Sequence, residues 1–112
     1  WAVFQPITFS RSALLLDEFA RVLKIADKCV ITAIMGSREK NTYNIYDKDL
    51  GNKVEGAVWF GDEQDHDRNF ELCAEYVSSH AEEGDLILTM GCGDINKCAW
   101  LILDKLKARF GE

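Results

Sequence analysis

Residues 85–106 read DLILTMGCGDINKCAWLILDKL, and the way this stretch changes period decides the fold. Leu86 to Met90 is a short continuous apolar run, with the length of a strand buried on both faces. It stops at Gly91-Cys92-Gly93-Asp94. Apolar residues then return at helical spacing: Ile95, Ala99, Ile102, Leu103, Leu106 and Phe110 form one stripe, while Lys97, Asp104, Lys105 and Lys107 lie mostly off it. The unit is strand, glycine turn, helix.

Working outward, the same alternation recurs. Strands are predicted at Trp1 to Gln5, Cys29 to Met35 and Ala57 to Phe60, each followed by a polar or glycine-bearing turn. A helix capped by Ser10 follows the first, with Leu15, Leu16, Phe19, Ala20 and Leu23 inward. A weaker helix is expected over 47–54, where Gly51 costs about 1 kcal/mol. Another is expected over 67–81, with Phe70, Cys73, Ala74, Val77 and Ala81 on one side. Strands covered on both faces and joined by helices predict an α/β, Rossmann-like three-layer domain with a mainly parallel sheet flanked by helices.

The chain has 112 residues, room for one core. Its net charge of −6 carries no basic block to offset it, which disfavours a nucleic-acid surface or an anionic membrane. No apolar run approaches the roughly 20 residues of a bilayer span. Cys29, Cys73, Cys92 and Cys98 lack CxxC spacing, and the two histidines lie far apart, so neither a zinc site nor a disulfide scaffold is signalled. Reduced thiols and a cytoplasmic setting are expected. The sequence opens directly on a strand-like WAVFQP without Met, which suggests a piece excised from a longer protein.

Ligands of parallel sheets collect at the carboxyl ends of the strands, so the turns there hold the candidate site residues. In Gly91-Cys92-Gly93-Asp94 the glycines allow close backbone approach, and the following helix presents free N–H groups to an anion or carboxylate. The same turn also reads as plain strand-to-helix geometry, with Asp94 as an ordinary helix cap. It is neither a GxGxxG nor a GxxxxGK[ST] loop. Cys92 fits the turn as a small side chain or, beside a helix start, as a thiol of lowered pKa. Arg11, after the first strand, places a guanidinium at the rim, suited to a carboxylate or phosphate. Arg38, Glu39 and Lys40 form a charged triplet in the second rim turn, and only their position speaks for a role. His66 and His80 read as surface or helix-end imidazoles, and no Ser/His/Asp order is present.

Taken together, VFQPITFSRSALLLDEFARVL, AIMGSREKNT and GDLILTMGCGDINK resemble the carboxy-terminal domain of the Mur ligases, in particular the alanine-adding branch, whose usual wording is FQPHxxSRT, AREK and TMGAGD. The likeness spans practically the whole chain. It implies an ATP-dependent ligase that forms an amide between the carboxylate of UDP-N-acetylmuramate and L-alanine, through an acyl phosphate and with Mg²⁺, in peptidoglycan assembly. It further implies an amino-terminal UDP-sugar domain and a central ATPase domain outside this chain, the second carrying the P-loop and the metal ligands. The present domain alone would then bind neither ATP nor Mg²⁺ and would be inactive. By the same resemblance Arg11 meets an anionic group of the substrates, and Arg38, Glu39, Lys40, Gly91, Cys92, Gly93 and Asp94 line the amino-acid side of the closed cleft. Ile7 stands where the family has histidine, so that imidazole's contact is lost or supplied elsewhere. Gly36 and Ser37 stand near the usual small pair, and Cys92 replaces alanine. Two other readings remain: a free-standing Rossmann or flavodoxin-like binding module, and a sister ligase with another amino-acid or peptide substrate.

Overall fold

A computed structural model describes residues 1–36, 40–61, 66–91 and 94–111. Its sheet has four strands, β1 (Ala2–Phe4), β2 (Cys29–Thr32), β3 (Val58–Phe60) and β4 (Leu88–Met90), in the order β3-β2-β1-β4. Every pairing is parallel. The helices are α1 (Phe9–Leu14), α2 (Leu16–Leu23), α3 (Asp47–Gly51), α4 (His66–His80) and α5 (Ile95–Phe110). The expected Rossmann-like layering is what the chain adopts.

Alternation along the strands assigns the layers. Val3 and Val30 face α4 and α5, in a core with Phe70, Cys73, Ala74, Val77, Ile95, Cys98 and Ile102. Ala2, Cys29 and Ile31 face the other way, onto Ala20 and Leu23 of α2 and onto Leu50 and Val54. Successive residues of one strand thus serve opposite layers, which is why the apolar runs are continuous. Burial favours the protonated form of the Cys29 thiol, which is pushed up to about 11 by desolvation. Cys73 is raised by its hydrogen bond to Cys98 and by burial.

Several predicted boundaries shift. The second strand ends at Thr32 instead of Met35; beyond it Met35 makes only an isolated bridge to Ile7. Ser10 is not the first helix's cap. Thr8 is, its hydroxyl accepting from the Arg11 N–H at 3.3 Å. That helix breaks at Leu15 (φ −104°, ψ 15°), so Leu15 falls outside the buried stripe and is exposed. The helix over 47–54 is regular only to Gly51. On α5 the buried line is Ile95, Cys98 and Ile102, while Leu103 and Phe110 are exposed, because α5 follows edge strand β4 and, among the described residues, the sheet supplies no further strand on that side. The predicted helix over 67–81 starts and ends one residue earlier.

Candidate functional site

Strand order reverses beside β1. The chain adds β2 and β3 on one side and then returns through α4 to lay β4 on the other, so the switch point falls between the carboxyl ends of β1 and β4. There the Gln5 N–H donates to the Met90 carbonyl at 3.0 Å. Gly91 has φ 155°, and a Cβ on it would lie 3.1 Å from the Gln5 carbonyl oxygen and 3.2 Å from Ile95 Cγ2. Glycine is needed at this position because the backbones of the two turns touch.

The first and second rim turns are also joined. Thr8 N–H donates to the Met35 carbonyl at 2.7 Å, and Met35 N–H donates to the Pro6 carbonyl at 2.8 Å. Phe9 lies over Gly36, where an added methyl would overlap the ring. Thr8 itself sits at φ 56°, a strained conformation for a β-branched residue. It is held there by Met35, by Arg11 N–H and by Ser12, whose hydroxyl donates to the Thr8 carbonyl at 2.7 Å. The strained cap fixes the helical turn that carries Arg11, whose side chain is exposed. Gly36→Ala is therefore expected to push Phe9 off the second turn and to destabilise the domain by about 1–3 kcal/mol. Urea unfolding of the variant checks this; an unchanged midpoint would mean that the two turns are not packed together.

Of the residues named from sequence, Arg11, Lys40, Gly91 and Asp94 lie along the carboxyl edge of the sheet or just beyond it. Arg38, Glu39, Cys92 and Gly93 lie outside the described residues. Lys40 is exposed, and the turn beyond it is tied by Asn41, whose side-chain amide donates to the Ile45 carbonyl at 2.9 Å and accepts from the Ile45 N–H at 3.1 Å. Asp94 occupies the cap position of α5 without bonding a helix N–H through its side chain. Its carboxylate faces Lys97 at 3.7 Å, and the same ammonium lies 3.8 Å from Asp67 of α4. One lysine thus bridges the amino ends of α4 and α5. His80 ends α4 and lies against it, its Nδ1 2.8 Å from the Tyr76 carbonyl and its ring stacked on Tyr76.

Sequence reasoning missed Gln5 and Thr32, both buried in the sheet, and Thr8, whose capping role is visible only in the positive φ. Buried polar residues inside apolar runs were the available signal for the first two. Two open grooves of about 660 and 690 Å³ lie elsewhere: one follows edge strand β4 from Trp1 and Leu86 to Met90, and the other sits by the amino end of β2 at Cys29. Both lie away from the carboxyl ends of the strands, by the sheet edge and the amino end of β2. The carboxyl rim is the better candidate on that physical ground.

Among the described residues no three His, Cys, Asp or Glu side chains are grouped to hold a metal ion, and no step is assigned to one here. Among the same residues no helix is long and apolar enough to cross a membrane.

No protein-family model matches the chain. Curated relatives do. It is 45% identical over 103 residues to the UDP-N-acetylmuramate–L-alanine ligase of Caldicellulosiruptor saccharolyticus, covering 92% of this chain and 22% of the relative. The corresponding figures for the ligase of that name from Caldicellulosiruptor bescii are 44% over 104 residues, 93% and 22%. For that of Acetivibrio thermocellus they are 41% over 107 residues, 92% and 21%. The chain spans about a fifth of the length of these relatives. An identity of 41–45% over more than nine-tenths of the chain means that it belongs to the Mur ligase family, as a segment related to its alanine-adding members.

Proposed function

We propose that the chain is the carboxy-terminal, amino-acid-side domain of an ATP-dependent ligase that joins L-alanine to UDP-N-acetylmuramate in peptidoglycan synthesis. The observation that carries the reading is the identity of 44–45% to ligases of that name over more than nine-tenths of the chain. In the complete enzyme ATP converts the muramate carboxylate into an acyl phosphate, and the phosphoryl machinery resides in the other domains. This domain's residues bind and orient. The Arg11 guanidinium meets an anionic oxygen, Arg38 and Lys40 add positive potential with Glu39 between them, and the start of α5 adds free backbone N–H groups. Attack of the amine on the acyl carbon expels phosphate, so fixed positive charge and exclusion of water favour the step.

The site is completed only by the neighbouring domains. Calorimetric titration of the isolated 112-residue chain with ATP or L-alanine is expected to give weak or no heat. The complete protein carrying this sequence should form the amide from UDP-N-acetylmuramate, L-alanine and ATP. Micromolar ATP binding by the isolated chain would instead favour a self-sufficient nucleotide-binding module, and amide formation with a different amino acid would favour a sister ligase.

A further inference from the structure

Strand β4 pairs with β1 on one side, and among the described residues no strand pairs with its other side. The Leu88 N–H donates to the Trp1 carbonyl at 2.9 Å, and the Gln5 N–H donates to the Met90 carbonyl at 3.0 Å, so the backbones of Leu88 and Met90 are turned toward β1. Backbone direction alternates along a strand, so the N–H and carbonyl of Thr89 point to the open side. Edge strands are usually blunted by charge or proline. Leu86 to Met90 holds neither. Instead Leu86 is 77% and Leu88 53% exposed.

Both faces beside this edge are apolar and open. On the α2 face the groove of about 660 Å³ runs between Leu86, Leu88 and Met90 and the exposed Val22 and Ile25. On the other face a cleft of about 240 Å³ separates Ile87 and Thr89 from Leu103 and Leu106 of α5, so α5 already roofs the place of one more strand. Handedness then fixes the connection. The step from β1 to β2 is made by α1 and α2 on one face, and the return from β3 to β4 by α4 on the other. A strand beyond β4 that crosses back to β1 moves in the same direction as β1 to β2, so a right-handed crossover lies on the α2 face, in the groove. Its helix would end at the amino edge, where Trp1 lines the same groove with its backbone nitrogen 2.7 Å from the Leu86 carbonyl.

We propose that the open edge and the groove receive a strand–helix unit of the same polypeptide, supplied by the residues immediately before Trp1. Its strand pairs in parallel with β4 through Thr89, and its helix lays an apolar stripe on Leu86, Leu88 and Val22. The chain spans about a fifth of the length of its relatives, which leaves ample polypeptide for this. A strand following α5 would also be right-handed, yet it would leave the groove empty. A second copy meeting this edge about a twofold axis would pair three-residue β4 strands antiparallel and likewise bring no helix to the groove. A unit of this kind takes about 30 residues, so the domain begins about that far upstream of Trp1. The inference concerns the extent of the domain and does not depend on the ligase reading.

The test uses the complete protein carrying this sequence, with the photoactivatable p-benzoyl-phenylalanine encoded in place of Leu86. Irradiation and peptide mapping are expected to link position 86 to a peptide within about 50 residues before Trp1 of the same molecule. A link to residues after Glu112, a link between differently isotope-labelled copies, or no link at all would overturn the proposal. Hydrogen exchange reads the edge itself in the unsubstituted protein. The Thr89 amide should exchange about 100-fold or more slowly than an unpaired strand amide, at a rate independent of protein concentration, and fast or concentration-dependent exchange would count against the added strand. Leu88→Lys should lower the melting temperature by about 5 °C or more, because the helix buries that position, whereas Leu14→Lys should shift it by about 1 °C or less. Leu14 is 82% exposed and lies outside the groove. Equally small shifts for both variants would show that Leu88 faces water in the complete protein and would remove the helix. None of these readings requires amide formation, so failure of the ligase reading leaves the outcome unaffected.

Discussion

Phe70→Ala is expected to cost about 3–5 kcal/mol of folding stability. Phe70 is fully buried in α4, in the cluster that joins the sheet residues Val3 and Val30 to Cys98 and Ile102 of α5. Its backbone carbonyl also accepts the Cys98 thiol at 3.7 Å. Removing the ring leaves a cavity bordered by three elements, and α4 and α5 make the most extensive helix–helix contact of the domain. Packed cores relax only partly around such a void. Total stability of a domain this size is about 5–15 kcal/mol, so the variant should approach the limit of folding. Urea unfolding at two wavelengths measures it; a loss below about 1.5 kcal/mol would mean that α4 does not anchor the layer through this ring.

Arg11→Ala should have the largest effect on activity, a fall of about 100-fold in kcat/KM of the complete protein, with little change in stability. The stability half follows from exposure: the side chain is in solvent, and its backbone N–H, which makes the cap bond to Thr8, survives the substitution. The activity half follows from the proposed role, since a guanidinium aimed at an anionic substrate group supplies about 2–5 kcal/mol when the site closes and water leaves. Arg11→Lys should recover only part, because an ammonium keeps the charge but loses the planar fork. Activity within about threefold of wild type for Arg11→Ala would remove Arg11 from the site, since a desolvated ion contact is worth more than that.

How far the site was legible depended on what each residue does locally. Glycines at strand ends and an arginine in a first helical turn leave a mark in sequence, because the chemistry of a turn restricts the residue types that fit it. Gln5 left almost none. It follows Val3 and Phe4 in an apolar strand, and its environment is set by Thr32, 27 positions along the chain, and by Gly91, 86 positions along. Thr8 was similarly opaque: threonine is a common cap, but the φ of 56° that lets it reach Met35 and Arg11 at once is imposed by the neighbouring turn. The break at Leu15 was hidden by an apolar period that runs straight through it.

The sequence by itself determined the element order and the α/β layering, because period and turn chemistry are local properties that each segment carries alone. It also determined the family, through three ordered blocks. Tertiary structure alone decided that β4 sits beside β1, that the rim turns are bonded to one another, and that Gln5 and Thr32 are neighbours. Strand order and register arise from competition among layers for the same buried surface, and no single segment contains the terms of that competition.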